Sequence, residues 1–168
     1  DDFMREPMLP YKQSTLGPAL AVGDVNGDGL DDMYLGGAFR RSGQLLFQNN
    51  TLEFVAQQPS LWQSERMYED VGAFFFDFDG DADLDLYVAS GGNENTAENL
   101  GLQDRLYIND GQGIFSKSVG VLDSISCSGS VAIPNDFDED GDLDLFIGGR
   151  LVSAQFPTPA DSYLLENQ

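Results

Sequence analysis

Three nine-residue stretches hold the residues whose types and spacing could do chemistry: DVNGDGLDD from Asp24 to Asp32, DFDGDADLD from Asp77 to Asp85, and DFDEDGDLD from Asp136 to Asp144. Each has Asp or Asn at positions 1, 3 and 5 and Asp at position 9. These residues are Asp24, Asn26, Asp28 and Asp32; Asp77, Asp79, Asp81 and Asp85; and Asp136, Asp138, Asp140 and Asp144. Alternate spacing of this kind lets one short turn wrap side-chain oxygens around a hard cation, and position 7 (Leu30, Asp83 and Asp142) can add a backbone carbonyl. Magnesium takes fewer protein ligands, keeps its waters and demands a strict octahedron, so a flexible ring of protein oxygens suits calcium better. A single acidic nine-mer is also readable as a solvated turn with no metal. Three copies in one chain favour about three structural calcium ions.

The elements that must position these loops repeat with them. An apolar strand precedes each loop (19–23, 73–76 and 131–134), and another follows (33–35, 86–89 and 145–147), ending in small residues. A third strand comes after a variable loop, at 44–50, 105–110 and 162–168, and a fourth is visible in two copies, at 52–56 and 114–117. In the second copy, Asn109, Asp110, Gly111, Gln112 and Gly113 form the kind of turn that joins antiparallel strands. The loops start 53 and 59 residues apart, and four short strands per period describe a β-propeller blade. The expected fold is all-β. An N-terminal segment or outer strand covers 1–16, blade 1 covers 17–58, a link covers 59–70, blade 2 covers 71–118 and an incomplete blade 3 covers 119–168. A short helical turn would fit only the link, around Trp62, which is read as packing rather than as a binding platform.

Composition narrows the function. The 168 residues are 41% hydrophobic, enough for a core, and carry a formal charge of −21. Three divalent ions would bring that to −15, still unfavourable for nucleic acid and for acidic membrane surfaces, which need a basic stripe that eight Lys and Arg do not supply. No apolar run has the length of a membrane-spanning helix. The single Cys127 forbids an intrachain disulfide and reads as a small core residue. The start at Asp1, with no visible signal peptide, reads as a processed protein or a piece of a longer one. Asn49 begins an Asn-Asn-Thr glycosylation pattern that is common by chance. Arg40, Arg41, Arg66, Arg105 and Arg150 are expected to be solvated or paired with nearby acids.

Enzymatic constellations are missing from the sequence. With no histidine there is no Ser-His-Asp or Cys-His pair and no HExxH zinc site, and neither a GxSxG elbow nor a phosphate-binding glycine loop is found. Glu65, Glu94 and Glu98 lie outside the acidic loops, but nothing in the sequence pairs them for glycosidic chemistry.

The succession of apolar strand, D-x-[DN]-x-D-G-x-x-D loop, second strand and small-residue pair resembles the FG-GAP repeat of integrin α-chain propellers and the similar VCBS repeats of secreted bacterial proteins. The longer phrases LGPALAVGDVNGDGLDDMYLGGA, DLYVASGGNE, LQDRLYINDGQGIF and DLDLFIGGR are similar to bacterial surface proteins related to animal cartilage acidic protein, which often carry an ASPIC/UnbV-type domain. The resemblance implies a propeller fold, calcium binding and a location outside the cell, on the bacterial cell surface or in the periplasm. Two departures stand out: Ala82 replaces Gly at position 6 of the second loop, where a positive φ would cost about 1 kcal/mol, and Asn26 lowers the charge of the first. The second site is therefore expected to be the least ideal.

In a blade, loops joining strands one and two share one rim, and loops joining strands two and three share the other. The second set (38–43, 93–103 and 150–161) varies in length and content, so an unknown protein or glycan ligand is expected there. Closed propellers need at least four blades, so the rest of the propeller is expected in the parent chain. The combined reading is a noncatalytic, calcium-stabilised extracellular binding or adhesion module; the alternative is a carbohydrate-binding or scaffold portion of a larger secreted enzyme.

Overall fold

The computed structural model describes residues 2–92, 100–122 and 128–167. It is built from three antiparallel sheets. The first contains β1 (Leu20–Gly23), β2 (Asp32–Leu35), β3 (Gln44–Gln48) and β4 (Phe54–Gln57). The second contains β5 (Asp70–Phe76), β6 (Asp85–Ser90), β7 (Arg105–Ile108) and β8 (Ser116–Lys117). The third contains β9 (Ser128–Asn135), β10 (Asp144–Leu151) and β11 (Tyr163–Leu165). Within each sheet the strands neighbour one another in sequence order, the meander of a propeller blade. The innermost strands β1, β5 and β9 contact one another in succession, so the sheets stack side by side rather than forming separate units.

Register makes the three sheets superimposable by residue. Position 9 of each acidic loop opens the second strand, and the residue after it pairs with Val22 and Leu46 in the first sheet, with Phe75 and Tyr107 in the second, and with Pro134 and Leu165 in the third. Strand β6 is buried along its whole length, which explains its unbroken apolar run. Leu86 and Val88 face the first sheet and pack with Ala21, Tyr34 and Leu45; Tyr87 and Ala89 face the third and pack with Leu145 and Ile147. Alternation along β6 thus separates two buried faces rather than core from solvent.

The link contains a helix, α2 (Pro59–Ser64), that drops Trp62 between the first two sheets. Its ring lies 5.1 Å from both Tyr34 and Tyr107, and its indole N–H donates to Gln57 O at 3.0 Å. Trp62 is packing, as expected. The N-terminal residues Asp2–Arg5 form a short helix, α1, instead of an outer strand. Covered faces end with the sheets: Leu20 and Val22 of the first and Val131, Ile133 and Leu164 of the third are exposed although their counterparts in the second sheet face a neighbour.

Candidate metal sites

Each acidic loop follows the first strand of its sheet and is held by its own carboxylates. Asp24 accepts the N–H groups of Gly27, Asp28 and Gly29 at 2.8 to 3.1 Å; Asp77 accepts those of Gly80 and Ala82; Asp136 accepts those of Asp140 and Gly141. At position 5, Asp28, Asp81 and Asp140 each accept the N–H two residues ahead. Asx turns of this sort are why Asp and Asn favour such loops over helix or strand.

Position 9 does a second task in all three copies. Asp32, Asp85 and Asp144 are buried. One oxygen of each accepts the N–H of loop position 2 (Val25, Phe78 or Phe137), and the other accepts an N–H at the end of the third strand (Gln48, Asn109 or Asn167). A carboxylate has about four lone-pair sites, so two bonds leave acceptor capacity for a cation.

In the second loop, Asp77, Asp79 and Asp85 bring one oxygen each to within 4.8 Å of the others, and in the third Asp136, Asp138 and Asp144 do the same. These are positions 1, 3 and 9. Among the described residues no three-acid group forms in the first loop, where position 3 is Asn26. At position 7, one side-chain oxygen each of Asp83 and Asp142 is buried with no hydrogen-bond partner, outside the three-acid group of its loop. Burial and then the neighbours Asp81, Asp85 and Asp79 push the Asp83 carboxyl up to about 6. Burial and then Asp140 raise Asp142. Desolvation is also the leading cause of the upward shifts at Asp32, Asp85 and Asp138, with neighbouring acids adding to each. Hard oxygen donors, uncompensated negative charge and orphaned carboxylate oxygens together fit a divalent cation such as calcium.

Two backbone positions in every loop lie in the left-handed region. Position 4 is Gly27 (φ 73°), Gly80 (φ 76°) and Glu139 (φ 64°); position 6 is Gly29 (φ 85°), Ala82 (φ 73°) and Gly141 (φ 104°). The strain expected at Ala82 is present, and the third loop carries its own at Glu139. Neither prevents the carboxylates of positions 1, 3 and 9 from converging in the second and third loops.

Sequence reasoning missed the residues that tie one loop to the next sheet. The Asn109 side-chain amide donates to Val25 O in the first loop at 2.8 Å and to Leu84 O at 3.1 Å; the Asn167 amide donates to Phe78 O in the second loop at 3.0 Å. The signal was a polar residue closing each third strand at the same register. Missed as well was Arg105, expected to be solvated or locally paired but in fact buried. It pairs with Asp70 of β5, and its guanidinium lies 4.1 Å from the Tyr68 ring centroid. Burial works against its charge, but Asp70, Tyr107 and Tyr34 together more than offset that and raise its pKa. Cys127, Glu94 and Glu98 lie outside the described residues, as does most of the 93–103 loop.

Meandering sheets of four, four and three strands stacked through paired faces, each with an acidic loop between its first two strands, define a propeller-type repeat protein. The profile of the FG-GAP-like repeat matches residues 24–88 and again 77–147, each match running from one acidic loop through the next. The chain belongs to the FG-GAP-like repeat family. No curated protein matches it significantly.

Proposed function

We propose that this chain is a noncatalytic, calcium-stabilised binding or adhesion module that works outside the cell as part of a larger propeller. The observation that carries the reading is the convergence of positions 1, 3 and 9 in two loops, each of which also holds a buried, unpartnered oxygen at position 7. Such a cluster repels itself without a cation and closes with one. The exposed apolar faces of the first and third sheets support neighbours on both sides. Relation to the ASPIC/UnbV-associated proteins rests on the shared phrasing around the three loops. No helix among the described residues is long and apolar enough to cross a membrane.

Thermal melting with and without a chelator tests the reading. Extracellular calcium modules bind with Kd of roughly 0.1 to 1 mM. At ten times that concentration each occupied site adds about 1.4 kcal/mol of stability. Melting that is unchanged between EDTA and millimolar calcium removes the proposal.

A further inference from the structure

The basic residues of this acidic chain are not scattered. Arg40 and Arg41, in the loop joining β2 to β3, and Arg66, after α2, line one open cleft of about 460 Å³ together with Ser42, Gln63 and Met67. Three of the eight Lys and Arg residues therefore share one cleft in a chain with 29 acids, and among the described residues no carboxylate lines it. Topology puts it on the rim away from the acidic loops, since it lies where β2 ends and β5 begins.

Of the acids near these arginines in the chain, Glu65 and Asp70 are engaged with other cations and Glu69 is buried. Glu65 pairs with Lys117 at 2.8 Å, and Asp70 pairs with Arg105. Among the described residues Arg40, Arg41 and Arg66 pair with no carboxylate. The loop is held in place: Arg41 N–H donates to Ala38 O at 2.7 Å, Arg40 has a φ of 65°, and its guanidinium lies 5.1 Å from the Phe39 ring centroid. A Cβ at Gly37 would sit 2.1 Å from Arg41 O, so only glycine allows this close return. Three arginines that line one cleft with no paired carboxylate among the described residues call for an anion from outside, and the planar guanidinium fork matches carboxylate and sulfate oxygens in pairs.

The adjoining cleft gives the rest of the ligand its character. It shares Ser42 and Gln63 and continues past Gln44, Gln57 and the edge of Trp62. Hydroxyl and amide side chains both donate and accept, as sugar hydroxyls require, and Met67, Ala56, Pro59 and Trp62 supply apolar wall against which the carbon face of a sugar ring can lie. We propose that this rim binds an anionic saccharide, with Arg40, Arg41 and Arg66 holding its carboxylate or sulfate group and the neighbouring amides its hydroxyls. The proposal deepens the binding-module reading by naming a ligand class and a face.

Calorimetric titration of the calcium-loaded chain tests it with four probes of similar length: a uronic-acid oligosaccharide, a sulfated oligosaccharide, a neutral oligosaccharide and a glutamate peptide. The first two arms separate carboxylate from sulfate as the recognised group. At least one is expected to bind about tenfold more tightly than the neutral sugar and the peptide, equivalent to about 1.4 kcal/mol. Arg66→Ser and Arg41→Ser should each weaken it about tenfold, whereas Lys12→Ser, an equal charge change at an exposed residue elsewhere, should leave it unchanged. Equal binding of the peptide, no binding of either anionic sugar, or binding indifferent to Arg66→Ser overturns the proposal. Melting of each variant with and without calcium reports separately on the metal reading, so the two can fail independently.

Discussion

The two rims of the stacked sheets solve the same problem, closing strand ends, in different ways. On the acidic rim the solution is written three times: Asp32, Asp85 and Asp144 each take one N–H from their own loop and one from the third strand of their own sheet. On the opposite rim, equivalent donors find a different partner in each copy. Tyr34 O–H and Gly37 N–H go to Asp70 of the next sheet; Tyr87 O–H and Ser90 N–H go to Asp104 of the same sheet; Phe146 has no hydroxyl, and Gly149 N–H reaches Ser162 Oγ at 3.3 Å. The acidic-rim donors sit at one register position at the end of each third strand and so repeat with the unit, whereas the opposite-rim acceptors come from a different place in each copy: the next sheet, the residue before β7, and the loop before β11. That freedom also lets one rim collect a cluster of arginines.

The comparison breaks most visibly at position 9. Asp85→Ala leaves the N–H groups of Phe78 and Asn109 without an acceptor and removes a candidate metal ligand, so urea unfolding in calcium should show a loss of about 3 to 5 kcal/mol, with Asp85→Asn losing less. A loss below 1 kcal/mol would mean that the shared carboxylate is not what closes the acidic rim.

Asp104 sharpens the contrast from the other end. Burial pushes its carboxyl up to about 6, with Tyr87, Ser90 and Arg105 pulling it down. The folded state therefore keeps this proton to higher pH than the unfolded chain. Its contribution is unchanged below the unfolded pKa, then stability falls as pH rises from about 4 to 6, by roughly 2 to 3 kcal/mol. Asp104→Asn should flatten that part of the profile when urea midpoints are compared across pH in saturating calcium. A wild-type curve that rises through the same window as steeply as the variant's contradicts this role.

Smaller effects follow on the acidic rim. Asn109→Ala removes donors to Val25 O and Leu84 O, for an expected loss of about 1 to 3 kcal/mol by chemical denaturation. A matching substitution at the exposed Asn50 should change stability by less than about 0.5 kcal/mol. Ala82→Gly should gain up to about 1 kcal/mol by relieving a left-handed alanine, and a calcium titration should show tighter binding at the second loop if the strain reaches its ligands.

Much of this was legible in the sequence, for local reasons. Asx turns, alternate acidic spacing and strand-length apolar runs are set by residues within a few positions of one another, so loops and strands could be placed and the propeller-like stacking expected. Ala82 could be singled out because a positive φ is a demand of one residue. What could not be read came from partners far apart in the chain: Arg105 and Asp70 are separated by 35 positions, Asn109 and Val25 by 84. Neither separation leaves a mark in composition or period. The third-strand polar residue was visible as a repeated feature, but its use depends on which neighbouring sheet stands beside it.

The Asn ties give the stack a direction. Asn109 and Asn167 each reach back to position 2 of the preceding loop, and Gln48 occupies their place in the first sheet. A blade therefore presents a donor on one side and the matching loop carbonyl on the other, like the stud and socket of a building brick. Rows made this way can be lengthened at either end but never reversed, and a blade inserted upside down would find neither half of its fastening.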